Sequence, residues 1–234
     1  MVVRRGWVGA ACAYLALAMV VWTPAALFAS GRVALGGSPS SDYQVFGWSL
    51  AYWPYAVEHG LDPLRTGLLW APYGYSIAWV TSVPTLALLL LPVTVWAGPL
   101  AAYNVGMFVA APAAATAAFA LYRAVCGRFW PALCGGFVFG FSPYLLGQSV
   151  GQHLNLVQVW PVPLLALVAV RLDRGVVGTR RAALQFGVLW LALVGASLEL
   201  AATTGVFALL CVALAGADRQ LRGRVLLVAG ERDA

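Results

Sequence analysis

The chain has 234 residues, 62% of them hydrophobic and only 9% charged, with a formal net charge of +6 and a mean hydropathy of +0.84. A water-soluble domain of this size needs roughly a quarter of its residues charged to coat its surface, so the composition excludes one and makes the lipid bilayer the solvent. The positive balance does not point to nucleic acid, because the arginines stand singly or in pairs at the ends of apolar runs, where they determine topology.

All 14 basic residues are Arg and none is Lys, the usage of a GC-rich bacterial genome. Cys12, Cys134 and Cys211 fall inside apolar runs and Cys126 stands alone, without a CxxC or Cys/His cluster, so neither a disulfide framework nor a zinc site is indicated. The fold class that follows is all-α, a polytopic transmembrane helix bundle with an outer juxtamembrane helix. Residues 1–234 form a single transmembrane domain on this reading, and the oligomeric state is left open.

Arg4 and Arg5 precede the uncharged run 7–29, which is long enough to cross the hydrocarbon core, so 1–29 is the first transmembrane helix with a cytoplasmic amino terminus. Residues 26–30 resemble a signal cleavage site, but the run exceeds the usual length of a signal peptide's apolar region, which favours an uncleaved anchor. Residues 30–77 are more polar and form an outer loop. Within it, 43–57 carries Tyr43, Phe46, Trp48, Tyr52, Trp53 and Tyr55, a density of aromatics suited to a juxtamembrane helix lying at headgroup level.

The remaining transmembrane segments lie within 78–217, at about 79–96, 103–122, 131–146, 156–170, 182–198 and 201–217, followed by a short cytoplasmic tail, 218–234. If every segment crossed once, Arg123 and Arg128, then Arg171, Arg174, Arg180 and Arg181, would face outward, against the preference of arginine for the cytoplasmic side. If 79–96, which contains Pro84 and Pro92, dips in and returns, the arginine loops all become cytoplasmic and His153 faces outward beside Asp42. Such a dip needs other protein packed around it.

Asp42 is the leading catalytic candidate. It follows the first crossing, framed by Ser40, Ser41 and Tyr43, and a carboxylate there can take a proton from an attacking hydroxyl or hold a divalent cation against a leaving phosphate. The plainer alternative is an aspartate that starts the helix near Tyr43. Glu58 and His59 are candidates to help Asp42 hold a phosphate or cation, although Gly60 and Asp62-Pro63 also mark this stretch as a helix stop and turn. Gln148, Gln152, His153 and Asn155 gather in one polar stretch, where Gln152, His153 and Asn155 are candidates to bind a sugar or diphosphate by hydrogen bonds. No metal site or cofactor is identified by spacing. Glu199, between two apolar segments, either faces a cavity, a partner or an interface, or sits in a wet hairpin at the outer surface.

The arginine-flanked first helix, the outer loop opening with Asp42, the aromatic helix 43–57, Asp62-Pro63, Pro72-Tyr73-Gly74 and a proline-bearing apolar segment together resemble the C-type glycosyltransferase superfamily, here of a bacterial, actinobacterial kind. The resemblance covers roughly 1–170 as pattern. It implies an inverting transferase on the outer face of the plasma membrane, using a polyprenyl-phosphate sugar donor, with Asp42 as catalytic base. A second acid common in the family's next outer loop is missing, since 148–155 offers His153 instead. The family's further helices and outer soluble domain are also missing, so the chain reads as a fragment of a longer product or a diverged member. Two other classes stay open: a transporter or flippase component using Glu199, and a non-catalytic membrane assembly subunit.

Overall fold

The computed structural model describes residues 2–28, 33–36, 42–77 and 82–230. The chain is all-α: the described residues form ten helices and one pair of two-residue strands. Three helical runs are long and apolar enough to cross a membrane, Pro99–Cys126, Phe129–Val150 and Leu198–Ala217. The chain divides into two compact units, Met1–Leu198 and Glu199–Ala234.

Helix α5 (Pro99–Cys126) is the axis of the first unit. Proline at its first position suits a site where no amide partner is needed, and Gly127, at φ 69, closes the other end by donating its N–H to the Arg123 carbonyl at 3.1 Å. Most of its alanine-rich length is buried. Helix α6 (Phe129–Gly140) turns straight back along it. Gly136 and Gly140, four apart, share one helix face, and a Cβ on either would come within 2.6 Å of a backbone oxygen of α5, at Ala115 and Ala111. Small residues thus let the two backbones touch, the usual means of packing helices where lipid supplies no hydrophobic drive. Helix α1 (Val2–Phe28) lies against both, with Trp7 edge-on to Phe119 and the Tyr14 hydroxyl donating to the Leu133 carbonyl at 2.7 Å.

After α6 the run breaks at Phe141. Ser142 caps α7 (Pro143–Val150), accepting from the Leu145 amide at 3.4 Å, with proline at the first helical position. Helix α8 (Pro161–Asp173) then runs beside α5 in the same direction: Gln158 donates to the Gly106 carbonyl at one end, and the Arg174 guanidinium donates to the Ala124 carbonyl at the other. Helix α9 (Thr179–Val194) returns antiparallel to α8. Arg123, Arg128, Arg171, Arg174, Arg180 and Arg181 are therefore gathered at the carboxyl end of α5.

The segment 79–96 does not form one spanning helix; Trp79 to Thr81 lie outside the described residues. It contains α3 (Pro84–Leu89) and α4 (Leu91–Ala97), each about 10 Å long, a third of the hydrocarbon thickness. The Thr85 amide donates to the Gly195 carbonyl just past α9, and α4 runs through Gly98 (φ 87) directly into α5. Both ends thus sit at the amino end of α5. The break at Leu90 is level with Gly106, whose absent Cβ would meet a Leu90 methyl at 3.0 Å, about 10 Å down α5. Thr85 and Gly98 thus lie near the same end of α5, with Leu90 between them set further along it.

Helix α2 (Asp42–Glu58) matches the aromatic stretch of the sequence. It buries Phe46, Ser49, Leu50, Tyr52 and Ala56, a stripe at helical spacing that packs on α5 and α3. Beyond it, Arg65–Thr66 (β1) pairs antiparallel with Tyr75–Ser76 (β2), a small hairpin that the sequence did not suggest. Its base is fixed by Tyr52, whose hydroxyl donates to the Arg65 carbonyl at 2.6 Å and whose ring clusters with Ala56, Ile77 and Trp48.

Helix α10 (Leu198–Gly230) makes up the described part of the second unit from Glu199 onward. It extends through most of the expected tail 218–234 instead of ending at 217. From Ala202 to Ala217 its side chains are exposed or partly exposed, including Phe207, Leu209, Val212 and Leu214, as an apolar helix in a lipid solvent would be.

Candidate functional site

At the amino end of α5, two polar side chains do local structural work. Asn104, fully buried, accepts from the Leu35 amide at 2.7 Å and donates to the Val33 carbonyl at 2.9 Å. The Tyr103 hydroxyl reaches the carbonyls of Leu35 at 3.3 Å and Gln152 at 3.2 Å. These bonds tie the segment before α2 to the segment after α7. Gly36 completes the junction: at φ +116 with the Gln152 side chain 2.6 Å from where a Cβ would stand, only glycine fits.

Asp42 occupies the first turn of α2, where the helix dipole favours a carboxylate, and the Tyr43 ring packs edge-on against Tyr103 at 6.4 Å. His153 comes from the turn after α7 and places Nε2 3.1 Å from Asp42 Oδ2. Its Nδ1 lies 2.5 Å from Gln148 Oε1. Space for the ring comes from Gly151, where a Cβ would meet the imidazole at 3.0 Å. Both ring nitrogens face acceptor oxygens, an arrangement fully satisfied by the imidazolium, which donates from both; with its carboxamide turned over, Gln148 serves the neutral ring equally well.

Asp42 and His153 are each partly open, with side chains 44% and 38% exposed, so a substrate can reach them. Gln148 joins them as a third member, although the sequence offers it only as one amide among several. Gln152 and Asn155 are instead buried, at 3% and 5% exposure, with Gln152 in the left-handed region at φ 63. This moves them from the substrate-facing role expected of them to the interior, where polar groups serve as partners for other buried polar groups.

Glu58 and His59 are exposed at the opposite end of α2, about 24 Å from Asp42 along the helix. His59 packs at a tilt on Tyr55 and bonds its carbonyl at 2.9 Å, and Asp62 accepts from the Leu64 amide at 2.8 Å, which is turn chemistry. They cannot share a phosphate or a cation with Asp42. Glu199 lies exposed in the first turn of α10, a favourable place for a carboxylate at a helix start. Ser40 and Ser41 lie outside the described residues.

Among the described residues no three His, Cys, Asp or Glu side chains gather as a metal site, and both nitrogens of His153 are already engaged. An apolar groove of about 380 Å³ runs between α1, α5 and α8, lined by Trp7, Leu15, Pro112, Ala117 and Trp160 without a titratable group, and toward the arginine end. No protein-family model, no curated protein and no solved structure matches the chain.

Proposed function

We propose that the chain is a multi-pass plasma-membrane protein of the glycosyltransferase kind, transferring a sugar from a polyprenyl-phosphate donor on the outer face. The observation that carries the reading is the Asp42–His153 pair, 3.1 Å apart and open to solvent, at the end of α5 remote from the arginines. Arginine loops prefer the cytoplasmic side, which supports a reading with Asp42 outside and the amino terminus inside. The inward and returning path of α3 and α4 supports the same orientation, because it supplies the parity that gathers the arginines.

The chemistry this pair suits is an inverting displacement. The acceptor hydroxyl attacks the anomeric carbon, its proton passes to the Asp42 carboxylate, and the bond from that carbon to the phosphate oxygen breaks. The lipid phosphate leaves with the bonding electrons. His153, 3.1 Å from Asp42 Oδ2, orients the carboxylate for this transfer. A panel of polyprenyl-phosphate hexoses and pentoses tests the reading: Asp42→Asn should abolish transfer while membrane insertion is unchanged. Transfer that persists in this variant removes Asp42 as the base.

A further inference from the structure

The hairpin beyond α2 carries side chains that the catalytic proposal does not use. Trp70 is 77% exposed and Tyr73 is 93% exposed, with Leu68 also largely exposed beside them. Trp70 is held at φ 57, a conformation that bulky residues rarely adopt, and bends of this kind persist only where the surroundings impose them. Here the surroundings are firm. The Tyr73 and Gly74 amides both donate to the Trp70 carbonyl, at 3.0 and 3.1 Å, the Leu68 amide donates to Thr66 Oγ1 at 3.1 Å, and Trp70 stacks on Tyr75 with centroids 6.0 Å apart. A rigid turn therefore presents an indole and a phenol outward.

Against the strands and turn of this hairpin lies a polar hollow of about 440 Å³, lined by Arg65, Thr66, Tyr73, Tyr75 and Ser76 among others. Arg65 is exposed, and among the described residues no acid lies within ion-pair distance of it. A fixed cation beside amphipathic rings is complementary to a phosphate at the boundary of an apolar phase, since arginine binds phosphate oxygens and Trp and Tyr prefer the headgroup level. The depth agrees. Leu64, next to Arg65, shares a hollow with Val194 and Gly195 at the end of α9, a helix about 24 Å long whose other end carries Arg180 and Arg181.

We infer that the hairpin 64–76 is a membrane-surface anchor that seats an anionic phospholipid headgroup on Arg65, with Trp70 and Tyr73 inserted among the headgroups of the outer leaflet. The inference rests on the membrane reading above but not on the transferase chemistry. The full chain, with its four cysteines replaced by serine, is labelled with a fluorophore at Tyr73→Cys, and separately at Leu209→Cys in α10. Each is reconstituted in phosphatidylcholine vesicles containing phosphatidylglycerol, with a shallow or a deep nitroxide on the lipid tails.

The probe at 73 should be quenched by the shallow nitroxide more than by the deep one. Spin-labelled phosphatidylglycerol should quench it more than spin-labelled phosphatidylcholine, by about fivefold in effective local concentration, and Arg65→Gln should erase that excess. A probe at 73 quenched only by aqueous iodide, while the probe at 209 answers to the deep nitroxide, overturns the anchor and leaves the membrane reading standing. Quenching at 73 without any phosphatidylglycerol excess overturns the headgroup seat. If neither probe senses the lipid, the membrane reading falls as well.

Discussion

Asn104 holds the backbone of Leu35 across 69 positions of sequence, and in doing so sets where the chain stands just before α2 begins. The bond is buried, so its loss leaves the Leu35 amide without this partner at a cost of about 1–3 kcal/mol. Asn104→Leu should therefore loosen the junction between 33–36 and Gln152. We expect faster proteolysis around residues 33–36 and, on the proposed function, weaker sugar transfer, with membrane insertion unchanged. Equal proteolysis of variant and parent would show that the junction does not depend on this side chain.

The Asp42–His153 pair gives a sharper contrast between stability and activity. Both side chains are partly exposed, and ion pairs in such settings contribute at most about 1 kcal/mol to folding. A base held in place for proton transfer contributes far more to rate, on the order of a hundredfold or more. His153→Gln should thus leave the thermal unfolding midpoint in detergent nearly unchanged while lowering transfer strongly. Gln148→Ala, acting only through the ring, should fall between His153→Gln and the parent. A large stability loss with proportionate activity loss would mark the pair as structural.

The features legible in the sequence are those with local causes. The start of α2 at Asp42 follows from a short polar lead into a dense aromatic run, and its end at Glu58 from Gly60 just beyond. The division of 79–96 into α3 and α4 shows in the sequence through Pro84 and Pro92, each in the first turn of its helix, and through the arginine pattern, whereas hydropathy does not mark the break at Leu90. The contact between Asp42 and His153 depends on bonds from Asn104 and Tyr103 that span 49 to 71 positions, which no local pattern encodes. Glu58 and His59 look close to Asp42 in a loop, but one continuous helix converts sixteen steps of sequence into about 24 Å. Gln152 and Asn155 look like surface amides because they are polar, whereas an apolar fold needs some polar groups inside to satisfy irregular backbone.

Topology is testable with a residue the chain already has. Cys126 ends α5 at the arginine end and is exposed, whereas Gln44, exposed in the first turns of α2, lies at the other end. In a chain whose other cysteines are serine, a membrane-impermeant maleimide should label Cys126 only in inside-out vesicles. With Cys126 also replaced, Gln44→Cys should be labelled only in intact spheroplasts. Labelling of both from the same side would mean that α5 does not separate them across the bilayer.

The contact between α5 and α6 makes the strongest demand on residue size. A Cβ at Gly136 would stand 2.6 Å from the Ala115 carbonyl and closer still to the Tyr14 hydroxyl, and one at Gly140 would stand 2.5 Å from the Ala115 Cβ. Because backbone lies on the far side, a larger residue cannot be accommodated by a side-chain rotation and must push the helices apart. Gly140→Leu should destabilise the first unit by about 3 kcal/mol, read as an earlier loss of helical circular dichroism on heating in detergent. Gly147→Ala, with nothing within 4 Å of the added methyl and a helical backbone, should be neutral or slightly stabilising. If the two variants melt alike, α5 and α6 are not in backbone contact, and the frame that carries Tyr103 and Asn104 to the candidate site is assembled some other way.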